Sequence, residues 1–144
     1  MSNQVRTFTV EEANQLIPAL SELLVELKHK QNQVVDMEAQ IDALELVSEG
    51  DDRSIAELNS LTEQHHERVS EFYRAVDRIH NYGCLLKDVE IGLIDFYSVI
   101  DGKVVYLCWK LGEQSVGHWH DVEKGFPFRK PLSVSPNEEP DKIS

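Results

Sequence analysis

This chain is short of most features that announce chemistry. It has only two cysteines, Cys84 and Cys108, so there is no disulfide framework and no Cys-x-x-Cys ribbon for a metal. It has no glycine-rich phosphate loop, no dinucleotide fingerprint and no nucleophile elbow, which removes the commonest phosphate-, NAD- and hydrolase-type sites. No apolar run approaches the ~20 residues that span a bilayer. The start, MSNQVRTFTV, lacks the apolar core of a secretory signal. A cytoplasmic location with reduced thiols is therefore the expectation. Positive charge is also scarce, with 14 Lys and Arg against 26 Asp and Glu, a formal net charge of -12. Such a surface repels phosphate backbones and anionic lipid, so neither nucleic acid nor membrane is an expected partner.

The negative charge is unevenly spread. Residues 10–82 carry 16 acids against 6 Lys and Arg, whereas residues 83–132 carry 7 against 6. The first stretch reads as two long helices. Thr9 and Glu12 have the spacing of a capping box, preceded by Phe8 as a staple. Apolar positions then recur every three or four residues at Leu20, Leu23, Leu27, Val34, Met37, Ile41 and Leu44, with Lys30 and Ser48 as polar members of the seam. Pro18 is too deep for a first-turn proline, so a kink or break is expected there. Ser48 to Asp52 forms a loop around Gly50, with Asp52 or Ser54 as the next cap. A second seam runs through Ile55, Leu58, Thr62, His65, Val69, Phe72, Val76 and Ile79, and Gly83 suits a left-handed helix end. A short loop between long helices gives an antiparallel hairpin, coiled-coil-like, over residues 8–82. Ile17, Leu24 and Tyr73 widen its apolar face near the open end. Glu26 with His29 and Glu63 with His66 imitate the Glu-x-x-His half-motif of di-iron bundles, but the leucine phase turns both pairs away from the seam.

After Gly83 the period shortens. Cys84–Val89, Gly92–Ile100, Lys103–Trp109 and Ser115–His120 read as strands, and Asp101-Gly102 is a type I′ hairpin signal. Residues 83–132 are therefore expected to form a small antiparallel sheet of three or four strands on the open end of the hairpin, an α+β arrangement. Residues 133–144, proline-bearing and acidic, are expected to be a disordered tail.

A set of residues through both halves carries a resemblance. It comprises Phe8 to Asn14 with Leu16-Ile17-Pro18, then Gly83-Cys84, Lys87-Asp88, Gly92 to Phe96, Leu107-Cys108-Trp109, Gly112-Glu113, Trp119-His120, Gly125-Phe126 and Arg129. From Phe8 to Leu132 the chain resembles a bacterial family of uncharacterised proteins, domain of unknown function 2203. The resemblance implies a helical hairpin plus a small β module, and no established activity.

Three chemistries compete within residues 84–129. Alternation along a strand puts His118 and His120 on one face, and pairing with the preceding strand would add Cys108. These three are the metal-ligand candidates, with Asp95 or Glu113 to complete a set suited to zinc or a similar divalent ion. Without a metal, His120 could act as a general base oriented by Asp88, Asp95 or Glu113, with Lys87 or Arg129 holding an anionic substrate. The third and leading reading is a binding, adaptor or regulatory protein that needs no cofactor. It would use Lys87, Trp109, Trp119 and Arg129 to meet a protein partner, while the helical hairpin self-associates into a homodimer. The bland alternatives are core packing for the tryptophans and a buried small apolar residue for Cys108. Whether the chain is an enzyme stays open at this stage.

Overall fold

The computed structural model describes residues 6–138. Helix α1 spans Val10–Val47 and helix α2 spans Asp52–His80. Strands β1 (Leu85–Asp88), β2 (Leu93–Ile100), β3 (Lys103–Lys110), β4 (His118–Asp121) and β5 (Lys130–Pro131) follow. The described chain divides into two compact units, one of residues 25–78 and one of residues 6–24 with 79–138. No described helix is long and apolar enough to cross a membrane.

The capping box forms as the sequence requires. The Thr9 amide donates to Glu12 Oε1 at 2.8 Å, and the Glu12 amide donates to Thr9 Oγ1 at 3.1 Å. The α1 seam is also as expected, every one of its positions from Leu20 to Ser48 being buried or half-buried. Helix α1 runs through Pro18 without a break, so no separate short segment is split off there. Losing one backbone hydrogen bond costs ~3 kcal/mol, which packing at Ala13, Leu20 and Leu24 on either side offsets.

In the helical unit the two helices lie against each other. His65 Nε2 meets Glu38 Oε2 at 3.1 Å, and Arg78 pairs with Glu26. The α2 stripe is turned slightly from expectation. Ile55 and Thr62 are exposed, and their places are taken by Ser54 and Leu61, half-buried one residue earlier. Both phases share Leu58, His65, Phe72 and Ile79. The order of threes and fours between them is what the apolar pattern left open. Tyr73, expected on the widened face, is 60% exposed. The cap is Asp51, whose Oδ1 accepts from the Ser54 amide, and not Asp52 or Ser54. Glu63, His66 and His29 are exposed, in line with the rejection of a di-iron site.

The sheet is a five-stranded antiparallel meander in the order β1-β2-β3-β4-β5, one or two strands more than expected. The Asp101-Gly102 turn has φ of 51° and 82°, the left-handed pair that a type I′ turn demands. It locks β2 to β3 from Ile100↔Lys103 through to Leu93↔Lys110. A bulge between Leu86 and Asp88 absorbs the charged interruption in β1.

Register assigns the faces, because residues directly opposite share one. Ile94, Phe96, Leu107, Trp109 and Trp119 form the apolar face, every one of them fully buried. The Phe8 ring meets Phe96 edge-on at 5.2 Å, and the Val116 amide donates to Asn14 Oδ1 at 2.7 Å. These contacts tie the start of α1 to the sheet within their unit. The segment after Leu132 is held rather than disordered as far as Asn137. Trp119 Nε1 donates to the Val134 carbonyl at 2.8 Å, and Ser135 Oγ donates to Asp101 Oδ2 at 2.5 Å. The remainder of the expected tail, 139–144, lies outside the described residues.

Candidate functional site

The other face of the sheet carries a buried polar group. Asp95 stands opposite Cys108 across β2 and β3, Cys108 opposite His118 across β3 and β4, and Tyr106 opposite His120. All five strand positions are fixed by one hairpin turn and a continuous ladder, so the gathering of these side chains follows from the strand pattern.

His120 is the centre of the group. Its Nδ1 donates to the Asp121 carbonyl at 2.8 Å, and its Nε2 lies 3.0 Å from Asp95 Oδ2. His120 and Asp95 are each 2% exposed. The Cys108 sulfur, itself fully buried, lies against the imidazole of His120 and the guanidinium of Arg129. Ligand atoms of Asp95, Cys108 and His120 all fall within 4.8 Å of one another. Burial pulls the His120 pKa down, but the hydrogen bonds to Asp95 and the Asp121 carbonyl, with the Cys108 sulfur nearby, outweigh it and raise the group to about 10. Tyr106 borders the ring at 5.4 Å between centroids and shares a 2.9 Å hydroxyl contact with Tyr97. Burial, then Tyr97, push the Tyr106 hydroxyl up to about 12.

A clasp closes one side of the group. Arg129 donates from two nitrogens to the two oxygens of Glu113, at 3.1 and 2.5 Å. Glu113 Oε1 also accepts from the Lys110 amide at 2.9 Å. Burial raises the Glu113 pKa, but the Arg129 hydrogen bonds and the Lys110 amide hold it below the usual carboxylate range.

The sequence candidates separate cleanly on this geometry. Asp95, Cys108 and His120 come together. Glu113 and Arg129 pair beside them. His118 shares the face but stays outside the 4.8 Å group, its Nδ1 buried without a hydrogen-bond partner among the described residues. Asp88 does not orient His120, because it is exposed and its Oδ1 accepts from the Ile91 amide at 3.2 Å, capping a turn. Lys87 is exposed at the bulge, with its ammonium 5.0 Å from the centre of the Tyr106 ring. Trp109 and Trp119 are wholly buried, so neither is available as a surface anchor. The role of the Asp121 carbonyl escaped the sequence reading, since a main-chain acceptor leaves no trace in residue type.

A Cys–His–Asp relay requires the thiol at one ring nitrogen and the carboxylate at the other. Here the carboxylate sits at Nε2 while a peptide carbonyl occupies Nδ1, leaving no second nitrogen for a relay. A nucleophile with no exposed surface also has no route to a substrate.

A family profile described as "Uncharacterized conserved protein (DUF2203)" matches residues 6–132. Neither a curated protein nor a solved structure matches the chain.

Proposed function

We propose that this chain, which belongs to the DUF2203 family, is a metal-binding protein that holds one divalent ion on Asp95, Cys108 and His120. The observation that carries the reading is the pair of atoms His120 Nε2 and Asp95 Oδ2, 3.0 Å apart. A peptide carbonyl can only accept, so the hydrogen bond to Asp121 places a proton on Nδ1. In a neutral ring Nε2 is then a lone pair aimed at a carboxylate oxygen. Two acceptors at that distance need a positive charge between them, and the candidates are a proton or a metal ion.

With a proton, the pair is a buried imidazolium and carboxylate in which Asp95 Oδ1 still lacks a partner among the described residues. Burying both charges is expensive and is repaid only by complete hydrogen bonding. A divalent ion offers more. Together with a carboxylate, a thiolate and a neutral imidazole it makes an electrically neutral site. The Nδ1–H bond to a carbonyl is also the outer contact that orients metal-bound histidines. Bond lengths of 2.0–2.3 Å put the donor atoms of a tetrahedral zinc site roughly 3.3–3.6 Å apart. The observed spacing meets this with shifts of a few tenths of an ångström to about one ångström. The sulfur, nitrogen and oxygen donors select zinc, cobalt(II) or iron(II) over magnesium and calcium.

Titration of chelator-stripped protein with Co(II) and Zn(II) tests the reading. One equivalent should bind, with a thiolate-to-cobalt charge-transfer band that Cys108→Ser abolishes and His66→Ala leaves intact. Sub-stoichiometric binding, or a band indifferent to Cys108→Ser, would reduce the cluster to an ion pair that holds the sheet together.

A further inference from the structure

We infer that His118 is the fourth ligand of this site, which makes it a closed four-donor centre and not one with an open catalytic position. The inference rests on the three-donor reading above and deepens it.

Three buried side-chain atoms lack a hydrogen-bond partner among the described residues: Asp95 Oδ1, His118 Nδ1 and Asp121 Oδ1. The last is answered electrostatically by Lys103 Nζ at 2.7 Å. The other two belong to the residues that stand directly opposite Cys108, Asp95 on one side and His118 on the other. Unsatisfied buried polar atoms cost about 1–3 kcal/mol each. Two of them flanking one thiol in a single cross-strand row is what a missing common partner would leave.

The geometry permits His118 to reach that partner. Directly opposed side chains on an antiparallel pair have Cβ atoms about 4.5–5.5 Å apart. An ion bound to the Cys108 sulfur therefore lies within the sweep of the His118 ring. The ring is half-buried and not locked in the core, and its staggered rotamers aim it in different directions along that face. His120, two residues along β4, shares this face and supplies the donor from the adjacent row.

Other candidates for the fourth place are committed elsewhere. Both Glu113 oxygens are taken by Arg129, and one of them by the Lys110 amide as well. The Arg129 guanidinium beside Cys108 also repels a cation on that side. Asp, Cys, His and His then fill a tetrahedron, and structural sites are closed in this way whereas catalytic ones keep a position for water. The inferred role is regulatory or structural loading of the β module, without Lewis-acid chemistry.

The test compares Co(II)-loaded full-length protein with its His118→Ala variant. Four-coordinate cobalt absorbs strongly in the visible, and admission of water in place of a ligand weakens the bands. The variant should still take one equivalent with its thiolate band intact, but more weakly by at least roughly 100-fold, since outer contacts alone are worth 10–100-fold. Its visible bands should drop and recover on adding free imidazole. An unchanged affinity and visible spectrum would overturn the fourth-ligand inference while leaving the three-donor site standing. No cobalt uptake by the unmodified chain would overturn both. Should the variant fold poorly, imidazole nitrogen shifts of His118 on zinc addition to the unmodified protein decide the matter: a metal-bound shift supports the inference and an unmoved resonance sinks it.

Discussion

Glu113 grips Arg129 through both carboxylate oxygens, and the pair lies 17% and 26% exposed on the arginine and glutamate sides. This is a partly buried, two-point ion pair at the edge of the cluster. Replacing Arg129 by lysine keeps the charge but loses the planar fork. Arg129→Lys should cost about 2 kcal/mol in denaturant unfolding, the order of a hydrogen bond to a charged group.

The same pair gives the protein an acid-sensitive component. Glu113 has a folded pKa below its unfolded value, so its contribution is present above the unfolded pKa and is lost as pH falls through the depressed folded one. Thermal midpoints of metal-free protein from neutral pH down to about pH 3 should fall more steeply than those of Glu113→Gln, which is already without the pair at neutral pH. Parallel curves for the two proteins would show that the pair contributes nothing.

The ring of His120 offers a direct view of the bridging charge. In metal-free protein at neutral pH both ring nitrogens should carry protons in a nitrogen-15 spectrum, one donating to Asp121 and one to Asp95. Zinc should remove the Nε2 proton and leave the Nδ1 proton in place. A neutral ring with Nε2 unprotonated before metal is added would contradict the two-acceptor argument.

The segment past Leu132 should stabilise the sheet. Ending the chain at Leu132 removes the acceptor for Trp119 Nε1 and the contacts of Ser135 and Asn137 with Asp101. A loss of about 1–3 kcal/mol is expected, with Trp119 emission shifting to the red as the indole is uncovered. Unfolding curves and fluorescence that superimpose on those of the full chain would refute it.

In the helical unit, the corrected stripe separates two leucine-like positions. Leu61→Ala should cost about 1–2 kcal/mol as a half-buried seam residue, and Ile55→Ala less than about 0.5 kcal/mol at a position 47% exposed. Equal losses would restore the phase that begins at Ile55.

Much of this fold was legible because its signals are local. Thr9 and Glu12 announce a helix start, Asp101-Gly102 a hairpin and the leucine spacing of α1 a seam, and each depends only on near neighbours. The phase of α2 was ambiguous because threes and fours can alternate in either order through the same four anchors. The strap to Val134 was illegible because its stabilising partner is an indole N–H some fifteen residues upstream. Cys108, His118 and His120 could be placed on one face from alternation alone. Asp95 could be nominated as a carboxylate to complete the set or orient His120, but not preferred over Asp88 or Glu113, since choosing among three carboxylates requires the register of three strands.

That register hangs on two residues. Between Ile100 and Lys103 the chain reverses through Asp101 and Gly102 alone, and every rung from there to Leu93↔Lys110 inherits the phase set at the tip. One amino acid inserted at the tip without a compensating bulge would slide β3 by a single step, turning Trp109 toward the acid and Cys108 toward the aromatic core. The distance from that tip to the cluster is most of the hairpin's length, so a loop variant there would scatter Asp95, Cys108 and His120 without touching any of the three. Engineers grafting peptides into this protein should treat the tip as forbidden ground.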